Sequence, residues 1–167
     1  MSRELKALLE EFYRDKLAVR NRHVAAARLV TDYEANNTYQ YIINRDELQL
    51  TWLRSAIEDL AGELGGAAQL AEVPEPEVRR EGKGDEAEHR IIADDRDGAQ
   101  QFVARWRDRV ETVKNARHRG MLRVILGEAL EQKRFFEHAL AGRDDLLGRR
   151  MDGAGTGNGV LPVRWME

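Results

Sequence analysis

The chain has 167 residues, 42% apolar and 34% charged, with a formal net charge of −3 and no cysteine. A length of this order supports one domain with a sizeable core, and the missing cysteines exclude a disulfide framework, a thiolate ligand and a cysteine nucleophile. The slight acidity gives no general attraction to nucleic acid or anionic lipid, and no apolar run nears the ~20 residues that cross a bilayer. With an amphipathic, acidic start (MSRELKALLEEF) in place of a leader pattern, the expectation is a cytoplasmic protein that engages neither nucleic acid nor membrane.

The first predicted helix runs from about Arg3 to Val30. Leu5, Leu8, Leu9, Phe12, Val19, Ala26 and Val30 share one stripe at three-and-four spacing, and Ser2 is placed to cap its start. His23 falls on the same stripe and is expected as a core histidine whose ring nitrogens bond to protein neighbours. Neither glycine nor proline marks the end of this helix. Thr31-x-x-Glu34 fits a capping box and Asn36-Asn37 fits a turn, so the break is expected somewhere in Thr31–Asn37.

The second helix carries the longest signal. Leu50, Leu53, Ile57 and Leu60 lie on one face, and the stripe continues back through Asp46 to Ile42 or Ile43 and Tyr39. An acid on a core stripe is costly to bury unless a metal ion or an arginine pairs with it, or the groove stays wet. Gly62, Gly65 and Gly66 supply the end of the helix. From Glu72 to Asp97 the chain has ten acids, five bases and two prolines, which reads as an exposed acidic crossover, with His89–Asp94 as a short docked segment. Its length suits a connection that returns the chain to the starting end of a bundle.

A third helix is expected from near Asp97, carrying Phe102, Trp106, Val110 and Val113, with an end or bend in Lys114–Gly120. A fourth follows with Met121, Leu122, Ile125, Leu126, Ala129, Phe136 and Leu140, and stops at Gly142. Residues 143–167 form a glycine-rich tail. The spacer Gly153–Gly159 precedes Val160, Leu161, Val163 and Trp165, an apolar strip expected to anchor on the bundle or on a second copy, which makes a homodimer or higher homo-oligomer the expected state.

Two helical hairpins joined by a long crossover, with acids on inner faces in INRDELQLTWLRSAIEDLAGELGG (Ile43–Gly66) and ILGEALEQKRFFEHAL (Ile125–Leu140), resemble the ferritin-like superfamily, rubrerythrin-type in scale. The resemblance covers about residues 3–142. It implies an all-α, antiparallel four-helix bundle and a di-metal site, with one Glu from each of two helices and Glu-x-x-His from each of the others. Iron or manganese is the cofactor it implies. The positions matching those acids are Glu34, Asp46, Glu47, Glu111, Glu128 and Glu131. The histidines do not follow: Gln49 and Leu50 stand three residues after Asp46 and Glu47, and Arg134 stands three after Glu131. His138 lies seven residues past Glu131, about 10 Å along a helix at ~1.5 Å per residue, too far to share an ion with it. The remaining all-carboxylate set favours hard ions such as Mn, Mg or Ca, against the alternative that these acids pair with arginines or face water. Two readings are open: a non-catalytic bundle acting through self-association or a protein partner, and a metal-binding protein of oxidase or metal-handling type.

Overall fold

The computed structural model describes residues 2–147. Four helices make up the bundle: α1 (Ser2–Ala27), α2 (Tyr33–Glu63), α3 (Gly84–Glu111) and α4 (Ala116–Leu140), with no strand among the described residues. The glycine-rich spacer and the Val160–Trp165 strip lie outside them. None of these helices is long and apolar enough to cross a membrane.

Each turn has a local cause. Asp32 caps α2 by accepting from the Ala35 amide at 2.8 Å, while Asn36 reaches back to the Ala27 and Val30 carbonyls that end α1. The break therefore falls in residues 28–32, at the early edge of the expected window. Neither the Thr31 capping box nor the Asn36-Asn37 turn makes it. Gly65 (φ +70°) and Gly142 (φ +71°) close α2 and α4 in the left-handed conformation, each with the paired carbonyl contacts of a Schellman motif. Asn115 caps α4 by accepting from the His118 amide at 3.1 Å.

Helix α3 begins at Gly84, well before the expected start near Asp97, so the crossover between helices is 64–83. The acid-rich composition hid this start. Asp85 and Glu86 in the first turn complement the helix dipole, and Ala87, Ile91 and Ile92 extend the buried stripe upstream of Phe102. Two acids on that stripe, Glu88 and Asp95, are buried because each has partners inside the protein.

Helices α1 and α2 pack side by side, as do α3 and α4. The two hairpins meet through α1 against α3 and α2 against α4. Both meetings are antiparallel: Glu11 pairs with Arg109 at one end of α1 and Arg22 with Asp95 at the other, while Tyr41 meets Phe135 and Arg45 meets Glu128. Helices α2 and α3 consequently run the same way, and segment 64–83 must travel back the length of the bundle. Ala68 and Leu70 pack at the end it leaves and Val78 at the end it reaches, with Asn21 donating to the Val73 carbonyl (2.7 Å) between them.

The core falls into two apolar clusters. One gathers Leu9, Phe12, Leu53, Ile57, Trp106, Leu122 and Ile125; the other gathers Ala26, Val30, Tyr39, Ile42, Ile91, Ile92, Phe136 and Leu146. Between them the four stripes turn polar at the same height.

Candidate functional site: a buried charge cluster at mid-bundle

At that height Lys16 and His23 come from α1, Asp46 and Gln49 from α2, Asp95 from α3 and Gln132 from α4, and all six are buried. Each takes an apolar residue's place in its helix. Lys16 follows Phe12 by four and precedes Val19 by three; Gln132 follows Ala129 by three and precedes Phe136 by four. The helices thus carry these side chains inward by the same periodicity that carries leucines.

Asp46 is the hub, with no exposure at all. Its Oδ1 accepts from the Lys16 ammonium at 2.5 Å and from the Gln132 amide at 2.9 Å, and its Oδ2 lies 2.7 Å from Nδ1 of His23. An ionised carboxylate only accepts, so Nδ1 of His23 carries the proton in this bond. Burial by itself would raise the Asp46 carboxyl. The Lys16 charge and then His23, each also a hydrogen-bond donor to it, outweigh burial and hold Asp46 well below the usual carboxylate range.

Two satellites flank the hub. Asp95 accepts from the Tyr39 hydroxyl and from Arg22 Nε at 3.0 Å. Burial first, then the Asp95 charge and hydrogen bond, push the Tyr39 phenol up, so it stays a donor. On the other side Glu128 receives Arg45 in a two-point contact (3.1 and 2.5 Å) and the Gln49 amide. Gln49 Oε1 is buried and meets no donor among the described residues.

His23 behaves as the sequence suggests: buried and bonded to a protein group. Asp46 does lie on the core stripe, but its partner is a lysine from the gap in the α1 stripe. The sequence held that signal in the seven-residue interval from Phe12 to Val19, which one helical residue at Lys16 fills. The other five candidate metal ligands spread out. Glu34 sits half-buried in the first turn of α2, Glu47 is exposed beside Arg20 (3.1 Å), and Glu111 is exposed and paired with Arg123. Glu128 is held by Arg45 and Gln49, and Glu131 faces outward on α4. Among the described residues no group of three or more His, Asp or Glu side chains is arranged to hold a metal ion. The donor set thus offers no ready cage, because the carboxylates nearest the centre already face ammonium, guanidinium or amide groups.

No family model, curated protein or solved structure matches this chain. Its chemistry must be read from its own side chains. A groove of about 400 Å³ opens between α1 and α3, with His23 and Asp95 among its lining residues. Its charged walls are engaged with one another: Arg105 pairs with Asp15 (3.0 Å) and Arg22 with Asp95. The lining includes no hydroxyl or thiol nucleophile.

Proposed function

We propose that this chain is a non-catalytic bundle of ferritin-like type, in which a buried lysine supplies the central cation, and that it works through association with a second copy or another protein. The observation that carries the reading is the contact of Lys16 with Asp46 at 2.5 Å in a fully buried setting. Carboxylate bundles hold metal ions at mid-height between facing helices, where the ions neutralise inward acids. Here the inward acid is neutralised by the protein's own ammonium. The up-down-down-up helix order and the long 64–83 crossover support the ferritin-like part.

The test is metal analysis of untagged protein, with thermal melts in Mn(II) and in anaerobic Fe(II). A ligand held only by the folded state raises its melting temperature. The expected result is no stoichiometric metal and an unchanged Tm. A full equivalent of iron or manganese per chain, with a rise in Tm that Glu128→Gln abolishes, would establish the metal-binding reading in its place.

A further inference from the structure

The two outer faces where the hairpins meet differ in kind. Along α1–α3, Glu11 takes Arg105 and Arg109, Asp15 takes Arg105 and the Trp106 indole, and Arg22 takes Asp94 and Asp95. The exposed side chains named on that face are charged and paired with one another. The α2–α4 face instead presents Tyr41, Leu48 and Val124, which are 36%, 40% and 50% exposed, with Trp52 and Phe135 half-buried beside them. On α2 the positions 41, 45, 48 and 52 form one row; on α4 the positions 124, 128, 131 and 135 form the facing row. Within one chain Arg45 lies level with Glu128 and Tyr41 with Phe135. The same antiparallel register sets Leu48 level with Gly127 and Trp52 level with Val124.

We propose that the α2–α4 face is a homodimer surface, with a second copy docked about a twofold axis parallel to the helices. This rests on the association reading above and gives it a site. Charge complementarity selects both the occupant and the axis. A twofold parallel to the helices keeps heights unchanged and lays each α2 against the partner's α4. Arg45, paired with Glu128 inside each chain, then lies opposite the partner's Glu128 and the partner's Glu131, so charges of opposite sign alternate across the interface. A twofold across the helices at the height of Arg45 would lay α2 on α2 and α4 on α4, setting Arg45 against its own copy and the acids against theirs. Shape agrees with charge. Gly127 is exposed, and a Cβ built there meets nothing within 4 Å. Its bare backbone leaves a dent at the height where Leu48 arrives from the other copy, while Trp52 and Tyr41 reach the partner's Val124 and the partner's Phe135.

Cysteine trapping tests this directly, because the natural chain has none. Full-length Leu48→Cys and Gly127→Cys proteins are prepared reduced, mixed, and oxidised together. The expected product is a disulfide-linked species of twice the monomer mass in the mixture, formed at least tenfold less when either variant is oxidised alone. In parallel, light scattering of the unmodified chain at micromolar concentration should give a dimer. Leu48→Glu and Val124→Glu should each give a monomer with an unchanged helical spectrum and a Tm that no longer rises with protein concentration. A monomeric parent chain overturns the proposal, yet leaves a metal-free bundle with another partner standing. Crosslinking by Leu48→Cys alone overturns the axis. A dimer that survives Leu48→Glu but dissociates when residues 153–167 are deleted overturns the surface, and assigns dimerisation to the C-terminal strip.

Discussion

Replacing Lys16 with Met keeps the length and the apolar stem of the side chain and removes only the charge and its hydrogen bond. Asp46 would then be a fully buried carboxylate held by His23 and Gln132 alone. Breaking one side of a buried pair typically costs about 3–5 kcal/mol, because the remaining charge loses its compensation. For a chain of this size, one kcal/mol lowers Tm by roughly 2–4 °C, so the expected drop is about 6–20 °C at pH 7. The pH dependence adds a second signature. The native Asp46 carboxyl lies below its unfolded value, so its contribution is present above about pH 4 and fades as pH falls through the native value. Without Lys16 the largest influence lowering it is gone, and the gap between variant and parent should narrow only in acid. Thermal melts by circular dichroism from pH 3 to pH 8 measure both effects. A loss under 2 °C at pH 7, or a gap that does not narrow in acid, would refute the ion-pair account. Restoring part of the loss with Lys16→Met/Asp46→Leu would support it, since an apolar pair of similar volume often replaces a buried ion pair without cost, while His23 and Gln132 still lose their acceptor.

Asp32→Ala removes the side-chain cap of α2 and should cost about 1 kcal/mol, read as a Tm lower by roughly 2–4 °C. Glu11→Gln should change stability by less than about 1 kcal/mol, and by less again in molar salt, because the pair is partly solvated. The Arg109 hydrogen bond, opposed by burial and reinforced by Arg105, holds the Glu11 carboxyl at about 2. NMR titration should find it there, with its small contribution present above about pH 4 and lost as pH falls towards that value. Glu88→Gln should speed hydrogen exchange at the Thr31 and Asp32 amides, both of which donate to Glu88, while amides in mid-α2 keep their protection.

The helices, the α2 stripe and the return crossover were legible because periodicity reports directly on burial. Leu50, Leu53, Ile57 and Leu60 could be placed from spacing alone, and all four are in the core. The start of α3 was not legible, since Glu88 and Asp95 look like solvent-facing acids until their partners are known. Glu88 accepts from the Thr31 backbone and hydroxyl and the Asp32 amide, and these bonds outweigh its desolvation and hold its carboxyl below the ordinary range. The centre was half legible. Asp46 and His23 stand out as anomalies on apolar stripes. Lys16, Gln49 and Gln132 read as breaks in their stripes, because one sequence shows which face a residue lies on and not which helix stands opposite. The same limit applies to Glu111 and Glu128, whose partners Arg123 and Arg45 lie on other helices.

The placement of the charge cluster also bears on how the sequence selects one packing. Above and below it the stripes are aliphatic and aromatic, and apolar contacts are non-directional. Sliding α1 by one turn against α2 would still set apolar side chains opposite apolar ones at both ends. At mid-height the same slip would carry Lys16 some 5–6 Å along the axis, to the level of Ile42 or Leu50. Asp46 and Lys16 would then both be buried without their partner, and losing one partner already costs about 3–5 kcal/mol. Gln132 from α4 binds the same carboxylate, so a slip of α2 against α4 would break a bond to that carboxylate too. Asp95 repeats the device between α1, α2 and α3 through Arg22 and Tyr39. The buried charges therefore act against misregistered bundles more than they add to the stability of the correct one: exchanging the Lys16–Asp46 pair for apolar residues should loosen the register that the pair enforces, with a Tm loss set mainly by His23 and Gln132, which lose their shared acceptor.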